Sequence, residues 1–226
     1  NGVWPAYWMM GNDYGKVGWP KCGEIDIVET GNADGIKNGT QTRHFGATLH
    51  WGTGAGAAHK QYGKSYLAPE TNPLQNDDYH IITMEWNGNF MQMFYDLEDF
   101  SVSAKSKARF FSVSIPSSTN TSDIGYYFQK PFFFIFNLAV GGNYTGIYNA
   151  GGITAMPNAG DEAKMYVDWV RVYQKQEDID TGIHEIHHAG ASAASAASAC
   201  YDLSGRLLPR APKQGVFIQN GKLVMR

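Results

Sequence analysis

Gly23-Glu24-Ile25-Asp26-Ile27-Val28-Glu29-Thr30 is the stretch on which the reading of this chain turns. Ile25 and Ile27 alternate with Glu24 and Asp26. A strand points successive side chains to opposite faces, so one face here is apolar and the other acidic. Strict alternation would send Glu29 into the apolar face, where an unpaired charge is prohibitively costly. One extra residue bulged out near Ile27 or Val28 returns Glu29 to the side of Glu24 and Asp26. A strand with one apolar face needs a second layer to cover it.

Outward from that strand, short runs rich in Val, Ile, Phe, Tyr and Trp recur between clusters of Gly, Asn, Asp and Pro, and helical periodicity is nearly absent. The runs at residues 4–10, 24–29, 45–50, 79–86, 90–95, 132–140 and 165–173 are expected strands. Charged residues are only 17% of the chain, while Gly numbers 26 and aromatics reach 14%, a balance that suits short strands and tight turns. The expected fold is all-β, a sandwich of two antiparallel sheets.

The character changes after Tyr173. Residues 175–199 are charged and His-bearing and then Ala/Ser-rich, which reads as a linker, the three His at 184, 187 and 188 matching no standard metal spacing. Residues 200–226 carry two short strand-like pieces and are too few for a core of their own. A net charge of -3 leaves no electrostatic footprint for nucleic acid. The longest apolar run is strand-sized, so membrane insertion is not expected either. Cys22 and Cys200 fall in different segments and are not expected to pair. The chain opens at Asn1 inside what reads as a strand, as a cut N-terminus would.

Three acids on one strand face repel one another, and a structural strand gains nothing from them beyond a charged edge that deters aggregation. Glycosidic hydrolysis with retention does need them: one ionised carboxylate as nucleophile and one protonated carboxyl as acid, on the two sides of the sugar bond. An acid between the two can tune both. Sugars also present flat apolar faces with hydroxyl rims, which call for aromatic platforms and polar side chains. Trp4, Trp19 and Trp51 lie in the same quarter of the chain as the acids, Trp19 on the loop that feeds the acidic strand. Trp8 and Trp169, flanked by strand residues, read as core. His50 ends an apolar strand where it could donate to a carboxylate or a sugar hydroxyl, and Asn137 interrupts a very apolar strand and must find a partner in backbone or substrate.

Gly2-Val3-Trp4-Pro5-Ala6-Tyr7-Trp8-Met9-Met10-Gly11, Trp19-Pro20, the acidic strand, Thr48-Leu49-His50-Trp51, Phe136-Asn137-Leu138-Ala139-Val140-Gly141-Gly142-Asn143 and Val167-Asp168-Trp169-Val170-Arg171-Val172-Tyr173 together resemble glycoside hydrolase family 16, in its laminarinase-like branch. Two residues between Asp26 and Glu29 resemble that branch; lichenase-like and xyloglucan-active relatives usually have one fewer. The resemblance implies a β-jelly-roll with a concave cleft, here without the N-terminal strands such proteins usually carry before Gly2. It implies Glu24 as nucleophile, Asp26 as its assistant, Glu29 as acid and base, and a monomer acting on β-1,3-glucan or mixed-linkage β-glucan. No cofactor is needed for that chemistry, but Asp168 matches a position that contributes to a structural calcium site. A non-catalytic glucan-binding module, an inactive fragment and a transglycosylase are the competing readings. Tyr201-Asp202-Leu203-Ser204-Gly205-Arg206, with Gly215-Val216-Phe217-Ile218 and a basic end, resembles the sorting segment of secreted Bacteroidetes proteins, which implies a secreted or cell-surface location.

Overall fold

The computed structural model describes residues 1–174 and, beyond them, 200–201, 207–208, 216–219 and 222–225. The expected linker at 175–199, and most of the sorting-like motif, lie outside the described residues. The chain divides into two compact units, Asn1–Trp169 and Val170–Arg226, ahead of the boundary at residue 174 read from composition.

The first unit is built from β1 (Val3–Gly11), β2 (Glu24–Thr30), β3 (His44–Gly52), β4 (His59–Leu67), β5 (Ile82–Trp86), β6 (Phe90–Tyr95), β7 (Arg109–Ser114) and β8 (Phe132–Val140). Five strands form one antiparallel sheet in the order β4-β3-β2-β1-β8, and three form another in the order β5-β6-β7. The two-sheet all-β expectation is met, with six of the seven expected strands in place.

Period-two patterning explains how the sheets face each other. On β3, Phe45, Ala47, Leu49 and Trp51 are buried, while His44, Thr48 and His50 share the other face. Ile25 and Ile27 of β2 join that core and meet Met91, Met93 and Phe111 of the second sheet. Full burial of each large apolar side chain is worth about 1.5–3 kcal/mol, so this layer holds the sheets together. Aromatic contacts extend it: Trp51 packs edge-on to Phe128 at 6.3 Å, and Phe128 stacks on Phe132 at 5.9 Å. Farther out, Phe134 and Phe136 of β8 lie beside Tyr7 and remain 38% and 40% exposed.

The seventh expected strand does not form. Residues 165–173 run as irregular backbone, and Tyr166, Val167 and Trp169 are exposed, so Trp169 is not a core residue. Alternation is a property of the side chains, whereas a strand also requires a neighbour offering a ladder. Conversely, β4 escaped the sequence pattern because the positions paired with the core residues of β3 are Lys60, Tyr62, Lys64 and Tyr66, and both lysines are exposed. In the second unit, Cys200–Tyr201, Leu207–Leu208, Val216–Gln219 and Lys222–Met225 form a four-stranded antiparallel sheet. Cys22 is buried and its Sγ donates to Met10 Sδ at 3.4 Å. Among the described residues no helix is long and apolar enough to cross a membrane.

Candidate active site

The bulge anticipated on β2 is present, and it falls at Ile27. Trp8 of β1 pairs with Asp26 and Tyr7 with Val28, leaving Ile27 without an opposite number. On the other flank Asp26 pairs with Thr48 and Glu29 with Gly46, so two residues of β2 face one of β3. Ile27 stays in the core at 1% exposure, and the register recovers with Glu29 on the acidic side. The face opposite the core therefore carries Glu24, Asp26 and Glu29 at the centre, Trp4 and Trp8 from β1, and His50 from β3.

Each acid has its own surroundings. Glu29 is 8% exposed and accepts a 2.8 Å hydrogen bond from Trp4 Nε1. Burial raises its pKa to about 7 and the neighbouring Asp26 adds to the rise, against the Trp4 donor and His50, which oppose it. Asp26 is 4% exposed, and burial pushes its carboxyl well above the usual range. Glu24 is raised by burial first and by Asp26 second, but His50 and a hydrogen bond from the Trp19 indole pull it back. Glu24 and Asp26 each raise the other's hold on a proton, so the pair does not ionise twice as readily as two separate acids would.

His50 Nε2 lies 3.1 Å from Asp26 Oδ2 and 3.9 Å from Glu24 Oε1. Its Nδ1 lies 2.9 Å from His59 Nε2 on β4. Burial lowers the His50 pKa, so the ring is neutral at pH 7 and carries one N–H. Trp19 stands over this pair, its ring 4.7 Å from that of His59 and 6.2 Å from that of His50, and stays 39% exposed. The loop placement expected of Trp19 puts it against the acids, half open to solvent.

Ligand atoms of Glu24, Asp26 and His50 come within 4.8 Å of one another, a spacing that could also bracket a cation. The His50 Nε2 and Asp26 Oδ2 atoms already face each other at hydrogen-bond distance, and both carboxyls are shifted toward holding protons, so the set is built for proton chemistry.

Two expectations need correction. Trp51 is on the opposite face of β3 from His50, 8% exposed within the intersheet core, because adjacent strand residues point apart; it cannot be a sugar platform. Trp8, expected in the core, is half-buried on the acidic side, and its Nε1 donates to Asn137 Oδ1 at 2.6 Å. Asn137 Nδ2 in turn reaches the Trp4 carbonyl at 3.5 Å, so the amide that interrupts the apolar strand finds its partners on β1. Asp168 is exposed in irregular backbone and belongs to no group of three His, Cys, Asp or Glu side chains among the described residues.

Two residues at the site carried no signal of their own. Tyr144 stacks on Trp4 at 4.9 Å and donates to the Glu29 carbonyl at 3.2 Å, bracing the strand end that holds Glu29. It comes after the Gly141-Gly142-Asn143 turn, where a Tyr has no periodic pattern to mark it. His59 opens β4, a strand absent from the expected set.

Comparison with known proteins agrees with this geometry. Residues 1–88 match the family model described as XgeA-like, catalytic GH16 domain. The chain is 35% identical over 178 residues to glucan endo-1,3-beta-glucosidase A1 of Niallia circulans, covering 78% of this chain and 23% of that one. It is 34% identical over 173 residues to the clotting factor G alpha subunit of Tachypleus tridentatus, covering 76% and 21%. The chain thus spans about a fifth of the length of these curated relatives. Among solved structures it resembles a GH16 protein from a Bacteroides ovatus mixed linkage glucan PUL, bound to its G4G4G3G product, with a TM-score of 0.56 and 34% identity over 68% of this chain and 56% of that one. Residues 1–88, with Glu24, Asp26 and Glu29 among them, are similar to the catalytic domain of glycoside hydrolase family 16.

Proposed function

We propose that this chain supplies the catalytic face of a retaining endo-β-glucanase acting on β-1,3-glucan or mixed-linkage β-1,3-1,4-glucan. The observation that carries the proposal is the bulge at Ile27, which brings Glu24, Asp26 and Glu29 onto one face despite their uneven spacing. Glu24 attacks the anomeric carbon as Glu29 gives its proton to the departing sugar oxygen, forming a covalent glycosyl-enzyme. Glu29, now ionised, takes a proton from the incoming water, whose oxygen displaces Glu24 and restores both carboxyls. Asp26 carries the proton that lets Glu24 remain anionic in a site where three charges could not coexist. Trp4 and Trp19, each tied to one of the two working acids, are the aromatic platforms for the sugar rings in this reading.

The relatives named for endo-1,3-beta-glucosidase and mixed-linkage glucan support both substrates. The tail's resemblance to a sorting segment supports a secreted or cell-surface enzyme. The test is reducing-sugar release from laminarin and from barley mixed-linkage glucan by the chain and by Glu24→Gln. Turnover should fall by at least about a thousandfold in the variant with glucan binding retained. Glucan binding by a wild-type chain that releases no sugar would instead assign a binding module.

A further inference from the structure

Among the described residues, His59 touches both arms of the acidic site without being an acid or a platform itself. Its Nε2 is 2.9 Å from His50 Nδ1, and its ring supports Trp19 at 4.7 Å. Trp19 in turn donates to Glu24, and His50 reaches Asp26. The groups facing this pair are Glu24, Asp26 and, more distantly, Glu29 from β2, together with the Trp19 indole. Lys60, the next residue on β4, is turned away and donates to the Ser122 carbonyl at 2.9 Å.

Proton counting limits how the chain of contacts can run. Two imidazole nitrogens 2.9 Å apart share one proton between them, and so do His50 Nε2 and Asp26 Oδ2 at 3.1 Å. A neutral His50 has one N–H to place. If it donates toward His59, its bare Nε2 faces Asp26 Oδ2, and Asp26 must commit its proton there. If it accepts from His59, its Nε2–H covers Oδ2, and the Asp26 proton is left for the other oxygen. Only the second arrangement keeps that proton available to Glu24. His59 can supply its Nε2–H both as the neutral ring and as the imidazolium, so the arrangement holds across the titration of His59.

We propose that His59 is a positioning residue of the reaction, donating from Nε2 to His50 Nδ1 and so fixing His50 as the Nε2–H tautomer with its donor on Asp26 Oδ2. This deepens the glucanase reading, on which its kinetic consequence rests. The tautomer itself does not depend on that reading and can be tested separately.

Long-range proton–nitrogen correlation spectra of the nitrogen-labelled full chain at pH 7 report the tautomer directly. His50 should appear as the neutral Nε2–H form in the wild type and in His59→Gln, whose side-chain amide can still donate, and as a mixture of tautomers in His59→Leu. On laminarin, His59→Leu should lose about tenfold in kcat with KM changed little, and His59→Gln should recover to within about twofold of wild type. Far-UV circular dichroism verifies that both variants are folded. An Nδ1–H His50 in the wild type, equal kcat losses in the Leu and Gln variants, or a loss confined to KM would overturn the proposal. A wild type that cleaves no β-glucan would sink the glucanase reading, while the wild-type tautomer would still decide the role of His59.

Discussion

Replacing Glu29 with Gln should stabilise the fold, by an amount that grows as pH rises from 4.5 to about 7 and is constant above it. In the folded chain the Glu29 carboxyl titrates near about 7 instead of its ordinary 4.5, chiefly because it is buried. At about 1.4 kcal/mol for each tenfold change in proton affinity, the gap amounts to about 3 kcal/mol. The sign comes from the direction of the shift. A carboxyl that binds its proton more tightly when folded contributes stability fully below pH 4.5 and loses it as pH rises through about 7. At pH 8 the wild type has lost that contribution. Glu29→Gln never ionises, keeps an oxygen to accept from Trp4 Nε1, and retains the contribution. In a chain of this size 1 kcal/mol moves Tm by about 2–4 °C, so the variant should melt roughly 6–12 °C above wild type at pH 8. At pH 4, where both side chains are neutral, the two should coincide. Thermal unfolding monitored by circular dichroism at both pH values measures the difference. A gap of equal size at pH 4 and pH 8, or a variant less stable at pH 8, would refute the argument that burial of an ionisable Glu29 strains this fold.

Glu29→Ala should stop cleavage of natural glucan but spare the first step on an aryl glucoside whose leaving group needs no proton, seen as a burst of released phenol; equal loss on both substrates would deny Glu29 the role of acid. Trp4→Phe keeps the stack on Tyr144 but removes the donor that favours ionised Glu29. The alkaline limb of kcat/KM should then move up by about one pH unit, because a hydrogen bond to a charged group contributes about 1.5–3 kcal/mol and part of it survives with the neutral acid. A limb that stays in place or moves down would show that the indole does not govern the proton on Glu29.

The sheet faces and the three acids are legible in the order of residues alone. Alternation of Ile25 and Ile27 with Glu24 and Asp26 is a local property of a period-two chain, and the cost of burying Glu29 implies a bulge before any partner strand is known. Six strands are found by the same reasoning, because their apolar residues recur at the spacing a half-buried strand requires. What depends on neighbours is not legible in this way. Residues 165–173 alternate as well as any strand and yet join no ladder, while β4, with exposed lysines opposite the core residues of β3, is a strand because β3 supplies one. The site divides along the same line. Glu24, Asp26 and Glu29 sit on one strand, so their common face can be read locally. Trp51 falls to the wrong side by one residue, Trp8 is claimed by Asn137 from a strand 129 positions away, and His59 and Tyr144 reach the acids only because β4 and the turn after β8 fold back to them. Side-chain direction along a strand is fixed by covalent geometry, whereas which strands lie side by side, and how much water they leave around a carboxyl, is decided only when the sheets close.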